Sequence, residues 1–325
     1  MRSGLDRWPL KNHLEQRKEK VFVSGGAGFI GSHLVDRLIA EGHEVVVVDD
    51  LSTGVQAHVN PKATFHKMNV WSDYKKLYKL LQREKPDVAV HLAAHKDVRA
   101  SVDEPIHDAH MNIIGTLNVL EGMRRAGGGR VVFSSSIAVY SQDADLPITE
   151  TSEVEPSSPY GISKFAGEMY MWHYSESTTM ACISLRLTNV YGPRQSMEGA
   201  GVITIFINQL LKGEVPTIFG NGEKTRDFIY VDDVVDAMMR SMRVAWCGEL
   251  VIGTNVETSM NKLLQELQGI LGTHVTPQYE ESREGELYYV YADSAKAREV
   301  MGWAPKTLLS EGLHKTVEWF REHPL

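Results

Sequence analysis

KVFVSGGAGFIGSHLVDRLIAEG, residues 20–42, joins an apolar run, a glycine-rich turn and a helical pattern within one short segment. The apolar run before the glycines is typical of a buried strand. After the glycines, Ile30, Leu34 and Leu38 recur at helical spacing, and Gly42 follows as a stop signal. The segment therefore predicts a strand, a tight turn and a helix, in that order.

The glycines of this turn have the spacing of a dinucleotide-binding loop. Gly25, Gly28 and Gly31 allow a tight turn and a close approach of the backbone to a pyrophosphate, which then lies at the helix N-terminus. Asp49 ends the next apolar run, 18 residues after Gly31. A carboxylate there accepts hydrogen bonds from an adenosine ribose and repels a 2′-phosphate. We therefore predict that the chain binds NAD.

Strand and helix patterns alternate along the first two thirds of the chain. Such alternation predicts an α/β fold with a doubly wound parallel sheet, the Rossmann arrangement. The further strands are predicted at 43–50, 87–94, 130–136 and 180–192. The further helices are predicted at 72–85, 106–126 and 159–177.

The regular alternation fades after about residue 190, which predicts a second, smaller lobe. We expect a nucleotide-binding domain over 20–190, to which 225–256 returns. Residues 191–224 and 257–325 are expected to form the lobe that binds substrate. Residues 1–19 lack the apolar centre of a signal peptide and are predicted to be a loose N-terminal extension.

The composition excludes several classes of protein. The 325 residues carry a net charge of −8, which argues against general binding to nucleic acid or to membrane surfaces. The two cysteines give neither a disulfide framework nor a metal-binding knuckle. No apolar run is long enough to span a membrane, and we predict a cytoplasmic protein without a metal.

A second motif, SSPYGISK at 157–164, places Tyr160 and Lys164 on one helix face. The strand at 130–136 ends with Ser136 at the sheet edge where the cofactor is expected. A lysine ammonium near a phenol is expected to lower the phenol pKa from about 10. Tyr160 is then able to exchange a proton with a substrate hydroxyl, and Ser136 supplies a second hydrogen bond.

The chain resembles the extended short-chain dehydrogenase/reductase family, and most closely its sugar-nucleotide 4-epimerases. The resemblance runs from Lys20 to about Trp319 and rests on motifs in family order. They are SGGAGFIGSHL, VVDDLSTG, HLAAHKDV, SSSIAVY, SPYGISK, LTNVYGPRQ, TRDFIYVDDVV and ADSAKAREVMGW.

The resemblance implies roles for particular residues. Ser136, Tyr160 and Lys164 correspond to the catalytic triad, with Asn112 as a supporting member. Asn69 stands where the family usually has an aspartate near the adenine amine, and we expect its carbonyl oxygen to bond there. The implied NAD contacts are Gly25, Gly28, Phe29, Ile30, Gly31, Asp49, Asp50, Ser52, Thr53, Gly54, Asn69, Val70, Leu92, Ala93, Ala94, Lys96, Asn112, Tyr160 and Lys164.

The same resemblance implies a site for a nucleotide diphosphate sugar. Two arginines closing on a diphosphate would hold it through bidentate charged bonds while the sugar is left to move. The implied substrate contacts are Lys96, Ser136, Tyr160, Asn189, Val202, Arg226, Arg283, Glu286 and Val290.

The reaction implied by the resemblance is reversible inversion at C4 of a UDP-hexose through a 4-keto intermediate. Ile137 and Ala138 stand where related 4,6-dehydratases place an Asp-Glu pair, so dehydration is not expected. Asn189 argues mildly against a uronate epimerase, although UDP-uronate epimerisation or decarboxylation remains the alternative. Val290 is predicted to leave room for the N-acetyl group of UDP-GlcNAc. A non-catalytic dinucleotide-binding protein is the remaining class.

Three smaller features complete the predictions. His107 and His110 are interpreted as a helix-surface pair, and Asp233 and its neighbour Asp232 as caps of the following helix. The family also implies a homodimer built on helices near 98–126 and 159–177, although core burial accounts equally well for their apolar faces.

Overall fold

The computed structural model describes residues 18–282 and 289–324. Its strands are β1 (Lys20–Ser24), β2 (Glu44–Asp49), β3 (Thr64–Lys67), β4 (Val88–His91), β5 (Arg130–Ser136), β6 (Ala181–Leu187), β7 (Asn189–Tyr191), β8 (Thr217–Phe219), β9 (Thr225–Arg226), β10 (Phe228–Tyr230), β11 (Gly248–Ile252), β12 (Thr258–Ser259) and β13 (Gln278–Glu280).

Its helices are α1 (Phe29–Ala40), α2 (Tyr74–Glu84), α3 (Val98–Asp103), α4 (Pro105–Ala109), α5 (Gly115–Ala126), α6 (Pro159–Ser177), α7 (Val202–Leu211), α8 (Val231–Ser241), α9 (Met260–Leu271), α10 (Ala295–Met301) and α11 (Leu309–Glu322). Two short 3-10 turns lie at Gln56–His58 and Ile137–Val139.

Seven strands form one parallel sheet in the order β11-β6-β5-β4-β1-β2-β3. The strand order reverses between β1 and β4, so the ends of these strands diverge there and leave a crevice. Ser24, Asp49, His91 and Ser136 all lie at the carboxyl edge of the sheet. The predicted doubly wound α/β fold is confirmed.

Both faces of the sheet are buried, as expected for parallel strands with helices on each side. Val23 and Val47 pack on one face with α1 and α8. Phe22 and Val46 alternate with them and pack on the other face with α2 and α5. This alternation explains why the strands read as continuous apolar runs in the sequence.

A separate apolar cluster lies beneath the second half of the chain. Phe206, Leu263 and Phe320 bring α7, α9 and α11 together over β10, away from the seven-stranded sheet. The division into a nucleotide-binding domain and a substrate-binding lobe stays a proposal, and this second core supports it.

The segment 180–192 is two strands rather than the single strand predicted. β6 stays in the large sheet beside β5, whereas β7 pairs with β10 in a separate two-stranded sheet. Between them, the Thr188 amide donates to the Ile252 carbonyl and the Asn189 amide donates to the Asp227 carbonyl. The change of hydrogen-bonding partner therefore occurs between these two residues.

The helix predicted over 106–126 is also divided. Pro105 begins the short helix α4, and a π-helical turn at His110–Ile114 joins it to α5. Inserted π turns are frequent at functional sites because they re-aim a side chain within a helix. Here the turn contains Asn112, which is buried.

Candidate active site

A cavity of about 590 Å³ lies at the carboxyl edge of the sheet. It begins at the glycine turn between β1 and α1, passes the ends of β2 and β4, and reaches Ser136 and α6. The predicted cofactor residues in its wall are Gly25, Gly28, Phe29, Ile30, Gly31, Asp49, Asp50, Ser52, Thr53, Val70, Leu92, Ala93, Ala94, Lys96, Tyr160 and Lys164.

The glycine turn is shaped so that the backbone itself forms the cavity wall. Gly25 has φ +74°, which disfavours an L side chain, and a Cβ on Gly31 would collide with the Gly25 carbonyl oxygen. Helix α1 begins after Gly28 with no side-chain cap. Its first amides are therefore oriented to bind an anion, and this cradle fits the pyrophosphate of a dinucleotide.

Asp49 supports the cradle as well as facing the cavity. Its carboxylate accepts hydrogen bonds from the Ala27 amide at 3.0 Å and the Leu51 amide at 2.8 Å. Burial raises the pKa of Asp49, and the two backbone amides act in the opposite direction. The strand end and the glycine turn are thus held together by the residue predicted to bind the ribose.

Asn69 does not lie in the cavity wall, and its contact with adenine stays a prediction. Its amide nitrogen donates to the Asp50 carboxylate at 2.6 Å, and its oxygen accepts from the Trp71 amide at 2.9 Å. An aspartate at this position would face the Asp50 carboxylate, so asparagine is the residue that can donate to it. Gly54 packs against Asp49 and, like Asn112, also lies outside the cavity wall.

The catalytic candidates converge at the other end of the cavity. Ser136 ends β5, while Tyr160 and Lys164 project from the first two turns of α6. The Lys164 ammonium donates to the Ser134 carbonyl at 2.8 Å and lies 5.7 Å from the centroid of the Tyr160 ring. All three side chains therefore lie together at this end of the cavity.

Local sequence fixes where α6 begins. Ser158 caps the helix by accepting a hydrogen bond from the Gly161 amide, and Pro159 occupies the first turn, where its missing amide is tolerated. The Tyr160 amide donates to the Ser101 hydroxyl at 3.1 Å. The N-terminus of the catalytic helix is thereby anchored to α3 as well as to its own cap.

The expected lowering of the Tyr160 pKa by the protein's own groups is wrong. Burial raises the Tyr160 pKa to about 12, and this effect outweighs the hydrogen bond with Ser136, which acts in the opposite direction. Burial also lowers the Lys164 pKa to about 8, although Asp108 and Glu168 act to raise it. Both shifts have one cause, because burial favours the neutral form of each group.

Asn112 holds the loop after β4 against the catalytic helix. Its amide oxygen accepts from the His95 amide at 2.8 Å, and its nitrogen donates to the Ser163 hydroxyl at 2.9 Å. The same nitrogen donates to the Asp108 carboxylate at 2.9 Å. Asn112 is 1% exposed, and its supporting role in the reaction stays a prediction.

The predicted substrate residues are only partly brought together. Lys96, Asn189 and Val202 line the cavity with the catalytic residues. Arg226 lies on β9 outside the cavity wall, and its guanidinium donates to the Thr225 carbonyl. Arg283 and Glu286 lie outside the described residues.

Val290 is not in the cavity wall. It is 1% exposed and packs in a buried cluster with Val139, Tyr140 and Val251. The predicted space for an N-acetyl group therefore has no support from this residue.

The sequence analysis missed further residues of the cavity wall, among them three from different parts of the chain. His58 follows β2, Arg194 follows β7, and Trp319 lies near the end of α11. The Trp319 and His58 rings pack edge to face, with their centroids 6.4 Å apart. Arg194 forms an ion pair with Asp36 of α1 at 2.8 Å. Only Arg194 stands in one of the motifs, because contacts between distant loops leave no local pattern.

The minor predictions have mixed outcomes. Asp233 does not cap its own helix, because its carboxylate accepts from the amides of Lys306 and Thr307, both at 3.0 Å. His110 stacks on Trp71 with ring centroids 4.7 Å apart. Within 18–282 and 289–324, no group of three or more histidine, cysteine or acidic residues could hold a metal ion.

The fold and this site define a dinucleotide-binding enzyme of the short-chain dehydrogenase/reductase type. The chain belongs to the NAD dependent epimerase/dehydratase family, whose model matches residues 21–252. The NAD cofactor predicted from the glycine turn and Asp49 is confirmed.

Sequence and structure comparisons agree on the relatives. The UDP-glucose 4-epimerase of Mycolicibacterium smegmatis is 43% identical over 93% of this chain and 98% of its own length. The structure of UDP-glucose 4-epimerase from Thermotoga maritima with UDP-glucose superposes with a TM-score of 0.92 at 41% identity, covering 94% of this chain and 99% of that one. The structure of UDP-N-acetylglucosamine 4-epimerase from Methanobrevibacter ruminantium superposes with a TM-score of 0.90 at 32% identity. The match covers 94% of this chain and 99% of that one.

Proposed function

We propose that this protein is an NAD-dependent epimerase that inverts C4 of a UDP-hexose through a 4-keto intermediate. The observation that carries the proposal is the convergence of Ser136, Tyr160 and Lys164 at one end of the cavity whose other end is the glycine cradle. The similarity to UDP-glucose 4-epimerases over nearly the whole chain supports the same reaction.

Bound NAD supplies the acceptor and donor of the C4 hydride and, when oxidised, a positive charge. Tyr160 exchanges the proton of the C4 hydroxyl, and Ser136 donates a hydrogen bond to the same oxygen. Lys164 carries the charge that favours the Tyr160 phenolate. Because burial alone keeps Tyr160 protonated at neutral pH, the charges around the phenol control its activity.

Inversion requires a firm hold on the nucleotide and a loose hold on the sugar. Asn189 lines the cavity, and we retain it, with Arg226 and Arg283, as a ligand of the nucleotide diphosphate. Lys96 also lines the cavity and is retained as a contact near the nicotinamide phosphate. The sugar ring is then free to present either face while its anchor stays in place. Bidentate bonds from an arginine to a diphosphate are strong enough for that anchor.

Ile137 and Ala138 support epimerisation over dehydration. They form the 3-10 turn directly after Ser136 and carry no acid or base. A dehydratase needs groups at such positions to move protons at neighbouring carbons. The oxidised 4-keto sugar is therefore reduced again rather than dehydrated.

The proposal names a UDP-hexose as the substrate and does not choose between UDP-glucose and UDP-GlcNAc. Because Val290 is buried away from the cavity, the structure gives no reason to favour UDP-GlcNAc over UDP-glucose. A UDP-uronate epimerase or decarboxylase remains the alternative, and UDP-glucuronic acid decarboxylase 4 of Arabidopsis thaliana is 32% identical over 95% of this chain and 70% of its own length. Direct trials separate these substrates.

The test is proton NMR of UDP-glucose, UDP-GlcNAc and UDP-glucuronate, each incubated separately with the protein and a trace of NAD. We expect the galacto epimer of at least one neutral UDP-hexose, without accumulation of NADH. The Tyr160→Phe variant is the control and should lose activity by about 10²- to 10⁴-fold. Conversion of UDP-glucuronate alone, or a lasting keto sugar, would contradict the proposal.

We also propose that the protein is a cytoplasmic homodimer. Exposed apolar side chains gather on α3, α4 and α6, with Val102 62%, Ile106 73% and Trp172 58% exposed. Leu120, within the stretch 98–126 that the family implies for the interface, is 0% exposed and belongs to the core. No helix in the described part of the chain is both long and apolar enough to cross a membrane.

A further inference from the structure

A buried ion pair lies directly behind the catalytic serine. The Arg186 guanidinium of β6 donates two parallel hydrogen bonds to the Glu168 carboxylate of α6, at 2.9 and 2.6 Å. The side chains of this pair are 5% and 2% exposed. Neither Glu168 nor Arg186 belongs to the cavity wall.

The pair is bonded to both flanks of Ser136. The Ser135 hydroxyl donates to Glu168 at 2.5 Å, and a third guanidinium nitrogen of Arg186 donates to the Tyr140 hydroxyl at 2.8 Å. Ser135 is the residue before Ser136, and Tyr140 follows the 3-10 turn that Ser136 caps. Ser135 and Arg186 are also register partners in the sheet.

The pair also fixes the catalytic helix. Glu168 is one turn after Lys164 and two turns after Tyr160, on adjoining parts of the same helix surface. One ion pair therefore connects the strand end that carries Ser136 with the helix that carries the other two catalytic groups. We call Ser135, Tyr140, Glu168 and Arg186 the serine clamp.

Stability alone does not explain such an arrangement. Removing two charges from water carries a penalty that an ion pair often fails to recover, and apolar residues frequently stabilise a fold as well or better. Bidentate geometry, by contrast, fixes distance and orientation. A displacement of about 1 Å in a catalytic group can reduce a rate by about 10²-fold.

We propose that Glu168 and Arg186 are positioning residues, which act through Ser135 and Tyr140 to hold Ser136 at the distance from Tyr160 and Lys164 that proton exchange requires. The proposal rests on the reaction proposed above. It assigns a role to a buried charge pair that touches none of the reacting atoms.

The first test removes the links and keeps the ion pair. In the Ser135→Ala/Tyr140→Phe double variant we expect kcat to fall by about 10- to 100-fold while KM changes by less than about threefold. The matched control is Tyr174→Phe/Ser177→Ala. It deletes two hydroxyls from the C-terminal part of α6, beyond Glu168. Equal kcat in the double variant and its control overturns the proposal.

A second measurement needs no substrate, so it separates failure of this proposal from failure of the proposed function. We expect amide hydrogens of residues 136–141 to exchange faster in the double variant than in the parent protein, and at the parent rate in the control. Unchanged exchange there contradicts the clamp even where no substrate is turned over.

In the Glu168→Gln variant the pH dependence of kcat is the measurement, because a purely structural role of Glu168 would leave that dependence unchanged. Glu168 and Asp108 both raise the Lys164 pKa, while buried His91 stays neutral with a pKa of about 3. Losing the Glu168 charge lowers the Lys164 pKa, so the alkaline decline of kcat should begin at lower pH. A variant that folds, retains NAD and keeps both the kcat and the pH profile of the parent protein excludes the proposed role for Glu168.

Discussion

Tyr160 and Lys164 are shifted toward their neutral forms by the same burial, yet the proposed reaction needs charge on both. At pH 7 the lysine, with a pKa of about 8, is mostly protonated. The tyrosine, with a pKa of about 12, is not ionised. Tyr160 therefore stays protonated in the protein alone. An additional positive charge or a substrate hydroxyl bound beside it is needed for the phenol to give up its proton.

We predict that kcat declines as pH rises through about 8. Lys164 loses its proton there, and a neutral lysine no longer stabilises the phenolate. The pH dependence of kcat, measured with saturating UDP-hexose and NAD, checks this. A profile that stays flat to about pH 10, the range of an ordinary lysine, would refute it.

Lys164→Met is expected to stabilise the fold at pH 7 while abolishing turnover. The folded-state pKa lies below the ordinary value of 10.5, so the charged lysine destabilises the fold below about pH 8, and this penalty disappears as pH rises toward 10.5. We expect a gain of about 1–2 kcal/mol at pH 7, because the lost bond to Ser134 offsets part of the gain.

Urea unfolding at pH 7 and pH 10 measures this prediction, with Tyr160→Phe as the control for loss of a catalytic residue. The difference between Lys164→Met and the parent should shrink at the higher pH. A variant less stable than the parent at pH 7 means that the buried ammonium stabilises the fold.

At the scale of single elements, the sequence predicted what local physical chemistry determines. The strand at 20–24 and helix α1 follow from apolar spacing and glycine conformations. The division of 180–192 into two strands depends instead on pairing with β10 and β11, which lie far along the chain. The π turn around Asn112 similarly depends on partners from the loop after β4 and from α6.

The candidate site divides in the same way. Gly25, Asp49 and the Tyr160–Lys164 pair were predictable because each belongs to a motif whose spacing reflects its chemistry. His58 and Trp319 were not, because only the tertiary fold brings them to the cavity. The wrong pKa direction for Tyr160 has the same origin, since burial is invisible in the spacing of two residues.

A glycine pair tests the cofactor cradle. We expect Gly31→Ala to reduce the NAD that copurifies by at least about tenfold, because its methyl group would collide with the Gly25 carbonyl. The control is Gly269→Ala in α9, where a Cβ meets nothing within 4 Å. That variant should retain NAD and gain about 0.5–1 kcal/mol of stability.

The NAD content of each purified variant is measured by releasing the bound nucleotide and assaying it by chromatography. Equal NAD content in the two variants would show that the turn does not carry the pyrophosphate.

At the scale of the whole molecule, the apolar surface of α3, α4 and α6 bears on assembly. Light scattering of the parent protein should give about twice the 36.4 kDa of one chain. Ile106→Glu places a charge in that surface and should give a monomer. Leu308→Glu, at an equally exposed site outside these helices, should leave the dimer intact. A monomeric parent protein contradicts the proposed assembly.

The two ends of the cavity lie on different parts of the molecule, with the glycine cradle at β1 and the catalytic groups at β5 and α6. Their joint function is tested most directly with a UDP-hexose carrying deuterium at C4. If the hydrogen leaves and returns as hydride inside one site, the epimeric product retains deuterium at C4, and proton NMR in ordinary water detects no protium there. Replacement of the deuterium by solvent hydrogen would mean that C4 is inverted through proton exchange with water, and the proposed redox epimerisation would be wrong.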